Sequence, residues 1–579
     1  MTKQPDVENQ LVQDASSVWV LKDHENIGYS EGAESEQYLD TVLRGAKDLG
    51  TRSGELESHI KDWSSEYHLT RKRAQLLSGF DFDRKLKVLE VGCGCGAITR
   101  ALGERFDEVV SVEGSISRAR LARLRTRDLP NVSIICAPFQ SIRFSGRFDL
   151  IICVGVYEYS ASFVEGADPY DTVLSYFSDM LTPDGMVLVA IENQFGLKYF
   201  SSSREDHLAT MFEGIEGYHA HPGKVRTFGR AELEANLRRH FSTVQFFYPY
   251  PDYKLPDCVV AEELLRDGRA GELVSQMRSR DYGGELTPLF DESLATMELA
   301  RNGVLPFFAN SFLAIAGKKE LHGITFAQQA LIFSNERRDK FSTRTRIVAD
   351  AGGGLRSLKA PVSGAARVDE GKITLRQTES PWIDAQSLQT QVRARCRVKR
   401  APLAKLFEPC QAWVAWLKGE SVSEAGIAWV PGEHIDSIWP NVYPSGGRLE
   451  LVDREWIWAE RVRMNAVVIR AIYNFLVKIA DGTEAPQVLQ GSRASALIRD
   501  IATALGVGLE QADFDAFIEL ECGLQLAAYG IARARHAKYL RWYLAHRSSL
   551  RNAQRLRDAM REIKTKIARR LRRLTSDQP

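Results

Sequence analysis

The sequence predicts an α/β protein whose N-terminal half is a doubly wound, mostly parallel sheet with an antiparallel edge strand, followed by an α+β second domain and a basic C-terminal helix. Three observations predict this. Short β-rich runs alternate strictly with helical stretches from Lys87 to Glu192, the pattern of βαβ units. A turn with three glycines in five residues, "GCGCG", separates the first such run from the first such helix. Residues 531–574 hold fifteen Lys or Arg against two acids, a net of +13; with a total of +1, the rest of the chain carries −12. That asymmetry marks a tail with its own partner.

At 579 residues the chain is too long for one core. Apolar residues at 44% and charged residues at 26% give an ordinary globular balance, which excludes disordered and fibrous classes. The opening "MTKQPDVENQ" lacks a signal pattern, and no apolar run approaches the ~20 residues that span a bilayer, so a cytoplasmic location is expected. Eight cysteines are scattered without a C-x-x-C pair or histidines at zinc spacing. Reduced thiols and no metal site are expected.

In chain order, residues 1–75 are expected to form a helical, substrate-covering segment. The first domain is expected over 76–319. Its strands are "KVLEV", "EVVSVE", "VSIICA", "FDLIICV" and "GMVLVAIE"; its helices are "AITRALGERF", "SISRARLARLRTRD" and "DTVLSYFSDML". "LTPDG" reads as the turn before the last of these strands, and "TVQFFYPY" and "NSFLAIAGKK" as strands closing one edge. From residue 320 the character changes to three short β runs, "QALIFSN", "STRTRIVAD" and "LRSLKAP", with a hairpin turn at Gly352 to Gly354, and then to a mainly helical region ending near 530.

The glycine turn raises the question of its ligand. Gly92, Gly94 and Ala97 satisfy the dinucleotide fingerprint formally, but Glu90 lies two residues before the first glycine, where it would repel a pyrophosphate and suits an ammonium. Glu113 ends the second strand, where an acid can accept both hydroxyls of a ribose. The lysine of a phosphate-cradling loop is missing. S-adenosylmethionine, with an amino acid end and a ribose but no phosphate, fits all three.

On these residues the chain resembles the class I S-adenosylmethionine-dependent methyltransferases, with their Rossmann-like fold: "LEVGCGCG" (Glu90, Gly92, Gly94, Gly96), "SVEGS" (Glu113), "CAPFQSI" and "FDLIICVGVYEY" (Gly155) are similar to that family's motifs. The resemblance implies adenine contact through Phe139 and Gln140, although Ala137 and Pro138 stand where many members have an Asp. Longer strings, "WSSEYHLTRKRAQLL", "IENQFGLKYF", "REDHLATMFEGIEGY", "VRTFGRAEL" and "YPYPDYKLP", are similar to methyltransferases associated with bacterial O-antigen and other lipopolysaccharide or surface-polysaccharide biosynthesis. That resemblance implies a glycan or lipid-linked glycan acceptor.

A sugar hydroxyl must lose a proton to receive a methyl, which calls for a base near the carboxyl ends of the strands. Glu158 after the fourth strand, Glu192 after the fifth, and His207 in "REDH", with Glu205 or Asp206 to orient its ring, are the candidates. A phosphate acceptor would need no strong base. The run "FFYPYPDYK" reads either as a stacking wall for a sugar ring or as an edge strand blocked by its prolines.

In the second domain, His434, Asp436 and Asn441 have H-x-D-x-x-x-x-N spacing, Asp453 follows a short strand, and Lys359 lies on the third β run. These resemble the catalytic loop, metal-binding Asp and phosphate-holding Lys of protein kinase-like folds, which implies ATP and magnesium. "NERRDK" lacks the phosphate-covering glycines and "DRE" replaces D-F-G. A degenerate domain that binds a glycan or partner reads equally well. In the tail, Leu556, Met560, Ile563, Ile567, Leu571 and Leu574 form one apolar stripe among basic residues. An anionic membrane surface at the inner face of the membrane is the expected partner, and no nucleic acid. The reading is a methyltransferase acting on a glycan, with a kinase-methyltransferase that caps a glycan chain and a non-catalytic scaffold for glycosyltransferases as alternatives.

Overall fold

The structure is a computed structural model that describes residues 4–22, 27, 32–223, 225–282, 288–398, 400–479, 489 and 493–546. The apolar stripe of the expected tail helix lies outside the described residues. The chain divides into two compact units, residues 1–335 with 342–358, and residues 336–341 with 359–579.

The first unit is built on a mixed sheet. Its strands are β1 (Leu11–Gln13), β2 (Trp19–Leu21), β3 (Asp81–Phe82), β4 (Lys87–Val91), β5 (Glu108–Glu113), β6 (Val132–Cys136), β7 (Phe148–Val154), β8 (Leu181–Glu192), β9 (Thr243–Tyr250), β10 (Cys258–Ala261), β11 (Ser311–Gly317), β12 (Ile324–Thr325), β13 (Ala330–Phe333) and β14 (Thr343–Ala349). The order in the large sheet is β1-β2-β6-β5-β4-β7-β8-β11-β9-β10-β13-β14, while β3 and β12 pair separately. From β2 to β8 neighbouring strands are parallel. Parallel strands covered on both faces require apolar residues at successive positions, and Val88, Leu89 and Val91 of β4 are all buried. One face packs Ile98, Leu102, Ala119 and Ala122, from the helices after β4 and β5, against Val88, Val109, Ile134, Leu150 and Leu188.

Four expectations are corrected. The N-terminal segment is not wholly helical: β1 and β2 form a hairpin that extends the sheet past β6, before the helix Ala33–Gly45. The antiparallel strand β11 is not an edge, because β8 and β9 flank it. "LTPDG" does not interrupt β8. Pairings Phe148↔Leu181 and Leu150↔Met186 leave Thr182 to Gly185 as a bulge within the strand. The first unit also runs past 319, because β13 pairs with β10 and β14 with β13, and its boundary with the second unit falls inside the strand Leu355–Pro361.

The second unit has short antiparallel strands, among them Arg367–Glu370, Ile373–Arg376 and Trp456–Trp458, and helices Leu388–Arg395, Gln411–Gly419, Met464–Ile479, Ala494–Ala504 and Gln511–Tyr529. Its core gathers Phe407, Trp413, Trp439, Phe475 and Phe517 around the helix Met464–Ile479. Residues 533–546 are helical.

Candidate active site

In the parallel sheet the chain winds one way from β4 through β5 to β6 and the other way through β7 and β8. Ligands bind such sheets outside the carboxyl ends of the strands, at the point where the order reverses. A cavity of about 450 Å³ opens there. Glu90, Gly92, Gly94, Glu113, Phe139, Gln140, Gly155, Glu158 and His207 all line it.

At the β4 end the glycine turn is a backbone requirement. Gly92 has φ +74°, and a Cβ there would stand 2.3 Å from Val156 Cγ2; Gly96 has φ +86°, and a Cβ there would stand 2.7 Å from Ala122 Cα. No other residue type lets the turn stay this close to its neighbours. Glu113 ties the turn to β5, accepting the Gly94 N–H on Oε2 (2.8 Å) and the Ser115 N–H on Oε1 (3.0 Å). Glu90 is buried, accepts Ser111 Oγ–H at 2.7 Å, and is pushed up to about 7 by burial. A buried carboxylate facing a cavity with so few compensating donors is suited to a cationic ligand group. Phe139 begins a single 3₁₀ turn, and Gln140 Nε2 donates to the carbonyl of Phe163, another lining residue, at 2.9 Å.

The opposite end collects the acids. Glu158, in a 3₁₀ turn after β7, and Glu192, the last residue of β8, are each 0% exposed. His207 Nε2 lies 3.6 Å from Glu158 Oε1 and 3.7 Å from Glu192 Oε2, and its Nδ1 lies 2.9 Å from Glu205 Oε1. Glu205 also accepts the N–H groups of His207 (2.8 Å) and Leu208 (2.7 Å), which fixes the loop that carries the imidazole. The Tyr159 ring meets the imidazole edge-on at 5.2 Å. Burial opposes charge on the ring, yet Glu192, Glu158 and Glu205 together raise His207 well above 6.5. Burial, reinforced by Glu192, raises Glu158 as well, against the pull of His207.

Several participants are not legible as a local pattern. Lys254 Nζ lies 2.5 Å from Glu192 Oε1 and 2.6 Å from Asp206 Oδ2, and Lys198 Nζ lies 2.9 Å from Asp206 Oδ1. Burial opposes it, but the two lysines hold Asp206 below the usual carboxylate range. Trp63, Tyr67 and Tyr282 also line the cavity, Trp63 packing on Tyr282 at 4.2 Å and on Tyr67 at 5.4 Å. Trp63 and Tyr67 stand one turn apart on a helix opened by an Asp62–Ser65 capping box, so they share a face. The expected wall at "FFYPYPDYK" is mostly core: Phe246, Phe247, Tyr248 and Tyr250 are buried in β9 between β11 and β10, and only Tyr253 and Lys254 of that run line the cavity. The edge-strand alternative fails for the same reason. Asn193 is a structural residue whose side chain donates to Phe307 O (2.8 Å) and Ala309 O (2.7 Å).

In the second unit Lys359 pairs with Asp453 and, at 2.5 Å, with Glu455. Asp436 accepts from Arg470 Nη1 at 2.6 Å, and Asn441 Nδ2 donates to the Asp436 carbonyl at 2.9 Å. Burial raises Asp436, and the charge on Asp453 adds to the rise.

Known proteins match the first unit. The family described as "Methyltransferase domain" matches residues 88–185. A malonyl-[acyl-carrier protein] O-methyltransferase of Priestia megaterium is 29% identical over 87 residues, 15% of this chain, and the chain spans 31% of that relative's length. Similar solved structures include the N-methyltransferase NodS of Bradyrhizobium japonicum bound to S-adenosylhomocysteine (19% identity, 28% of this chain and 74% of that one, TM-score 0.20). Another is YcgJ of Bacillus subtilis (16% identity, 43% and 98%, TM-score 0.25). Residues 88–185, which carry the wound sheet and the glycine turn, match a methyltransferase domain.

Proposed function

We propose that the protein transfers a methyl group from S-adenosylmethionine to a glycan, at a sugar hydroxyl or a terminal phosphate, in bacterial surface polysaccharide biosynthesis. The observation that carries this reading is one cavity joining the glycine turn, Glu90 and Glu113 to Glu158 and His207, behind which Glu192 completes the cluster. When bound, the cofactor supplies a methyl activated by its sulfonium. Glu90 would face its ammonium, Glu113 its ribose, and Phe139 and Gln140 its adenine. Trp63, Tyr67 and Tyr282, which line the cavity, would give a sugar the apolar contact that orients it. Glu158, Glu192 and His207, grouped beside the cavity, are the groups that would take the acceptor's proton.

Calorimetric titration with S-adenosylhomocysteine is expected to show one site, weakened about tenfold or more in Glu113→Ala, since a charged acceptor is lost. Mass spectrometry of polysaccharide from cells with and without the protein is expected to show an added methyl. Uptake of a nicotinamide or flavin dinucleotide instead of S-adenosylhomocysteine would overturn the reading.

A second reading concerns the second unit and rests on one observation: Lys359 and Asp453, far apart in sequence, pair directly, and Asp436 lies near enough to feel Asp453. This supports a kinase-like site for ATP and magnesium, with Asp436 as base and Asn441 and Asp453 toward the metal. It would make the chain a kinase-methyltransferase that caps a glycan. Loss of ATP turnover in Asp436→Ala supports activity; absence of nucleotide binding supports a scaffold for glycosyltransferases. Among the described residues no helix is long and apolar enough to cross a membrane, so contact with an anionic membrane surface is proposed for the basic tail alone.

A further inference from the structure

We propose that Glu158, Glu192 and His207 hold a first-row divalent cation, against the sequence expectation of no metal site. One ligand atom from each of these residues lies within 4.8 Å of the others, close enough for a single ion to touch all three. Both oxygens of Glu158 and Oε2 of Glu192 are buried without a hydrogen-bond partner, although their residues are 0% exposed. Buried carboxylate oxygens ordinarily find a donor or an ion, because leaving them bare forfeits hydration with no return.

The histidine is arranged as a ligand. Its Nδ1 lies against Glu205 at 2.9 Å, which keeps a proton on that nitrogen, so an ion that displaces the Nε2 proton meets a lone pair facing Glu158 and Glu192. A carboxylate behind a coordinating imidazole is the usual outer-shell partner of a bound metal. The charge count agrees. Glu158, Glu192, Glu205 and Asp206 contribute four negative charges, and Lys198 and Lys254 two positive ones, leaving −2 with a neutral His207, which one divalent ion offsets. One nitrogen and two carboxylates suit Mn²⁺ or Zn²⁺ better than an all-oxygen ion such as Mg²⁺. Glu158 and His207 line the cavity, so the ion's remaining positions open toward the acceptor end, where a sugar hydroxyl or phosphate oxygen could occupy them. This assignment rests on the methyltransferase reading only for the identity of that acceptor.

The full chain, stripped with EDTA and dialysed, is titrated with Mn²⁺ while free Mn²⁺ is followed by electron paramagnetic resonance. Zn²⁺ is titrated in parallel by calorimetry. The expected result is one equivalent of uptake that is lost in Glu158→Gln and in Glu192→Gln, retained in Asp453→Ala, and weakened about 10- to 100-fold in Glu205→Gln, which only positions the ring. Should a carboxylate variant fail to fold by circular dichroism, His207→Gln serves in its place, with the same expected loss. No uptake of either ion, or uptake that all these variants leave unchanged, overturns the site. S-adenosylhomocysteine binding is measured on the same metal-free samples: retained binding with no metal uptake sinks this proposal alone, and lost binding with metal uptake sinks the methyltransferase reading alone.

Discussion

Glu90 concentrates the chemistry of the cofactor end in one side chain. Burial lifts it from 4.5 to about 7 in the folded chain. Between those values the folded protein binds more protons than the unfolded one, so this group's contribution falls as pH rises through that window. About 3 kcal/mol relative to acid pH is lost above 7. A ligand ammonium beside Glu90 favours the anion, so binding below pH 7 should expel a proton. Titrating S-adenosylhomocysteine at pH 6 in two buffers of unlike ionisation enthalpy should give different apparent heats for the native chain and equal heats for Glu90→Gln; equal heats for both would refute the role. Glu90, Gly92 and Glu113 were legible because each sits at a fixed offset from a strand end. Lys254 was not, because its partners Glu192 and Asp206 lie 62 and 48 residues away and no local period links them.

At the scale of the element, the turn from β4 into its helix carries the constraint. Gly96 takes φ +86° with Ala122 backbone 2.7 Å from any added Cβ, so Gly96→Ala strains the conformation and pries apart the helices after β4 and β5. A loss of about 2–4 kcal/mol is expected. A fall in the urea midpoint of the first unit's transition would measure it; an unchanged midpoint would mean that the turn relaxes freely. The same strands show where periodicity is informative. β4, β5 and β7 coincide with the runs read from sequence because buried parallel strands are continuous apolar stretches. β1, β2 and β10 were missed: each has three or four residues, too few to establish a period.

At the scale of the molecule, the second unit holds a buried ionic network of its own. Arg470, on the helix Met464–Ile479, bonds Asp436 at 2.6 Å and Glu521 at 2.9 Å. Arg470→Met leaves the buried Glu521 and the largely covered Asp436 without their cation and should cost about 3–5 kcal/mol. A calorimetric scan should show the second unit's transition moved down by several degrees, and an unmoved transition would mean that water replaces the guanidinium. The sequence by itself determined the wound sheet, the glycine turn and the acid that ends β5, since backbone conformation and strand burial are demands on contiguous residues. Only the tertiary structure decided that Glu158, Glu192 and His207 converge, that aromatic rings from several distant segments line the same cavity, and that β13 and β14 join the first unit. Contacts between remote segments are set by how the elements pack, and packing depends on the whole chain rather than on any stretch of it.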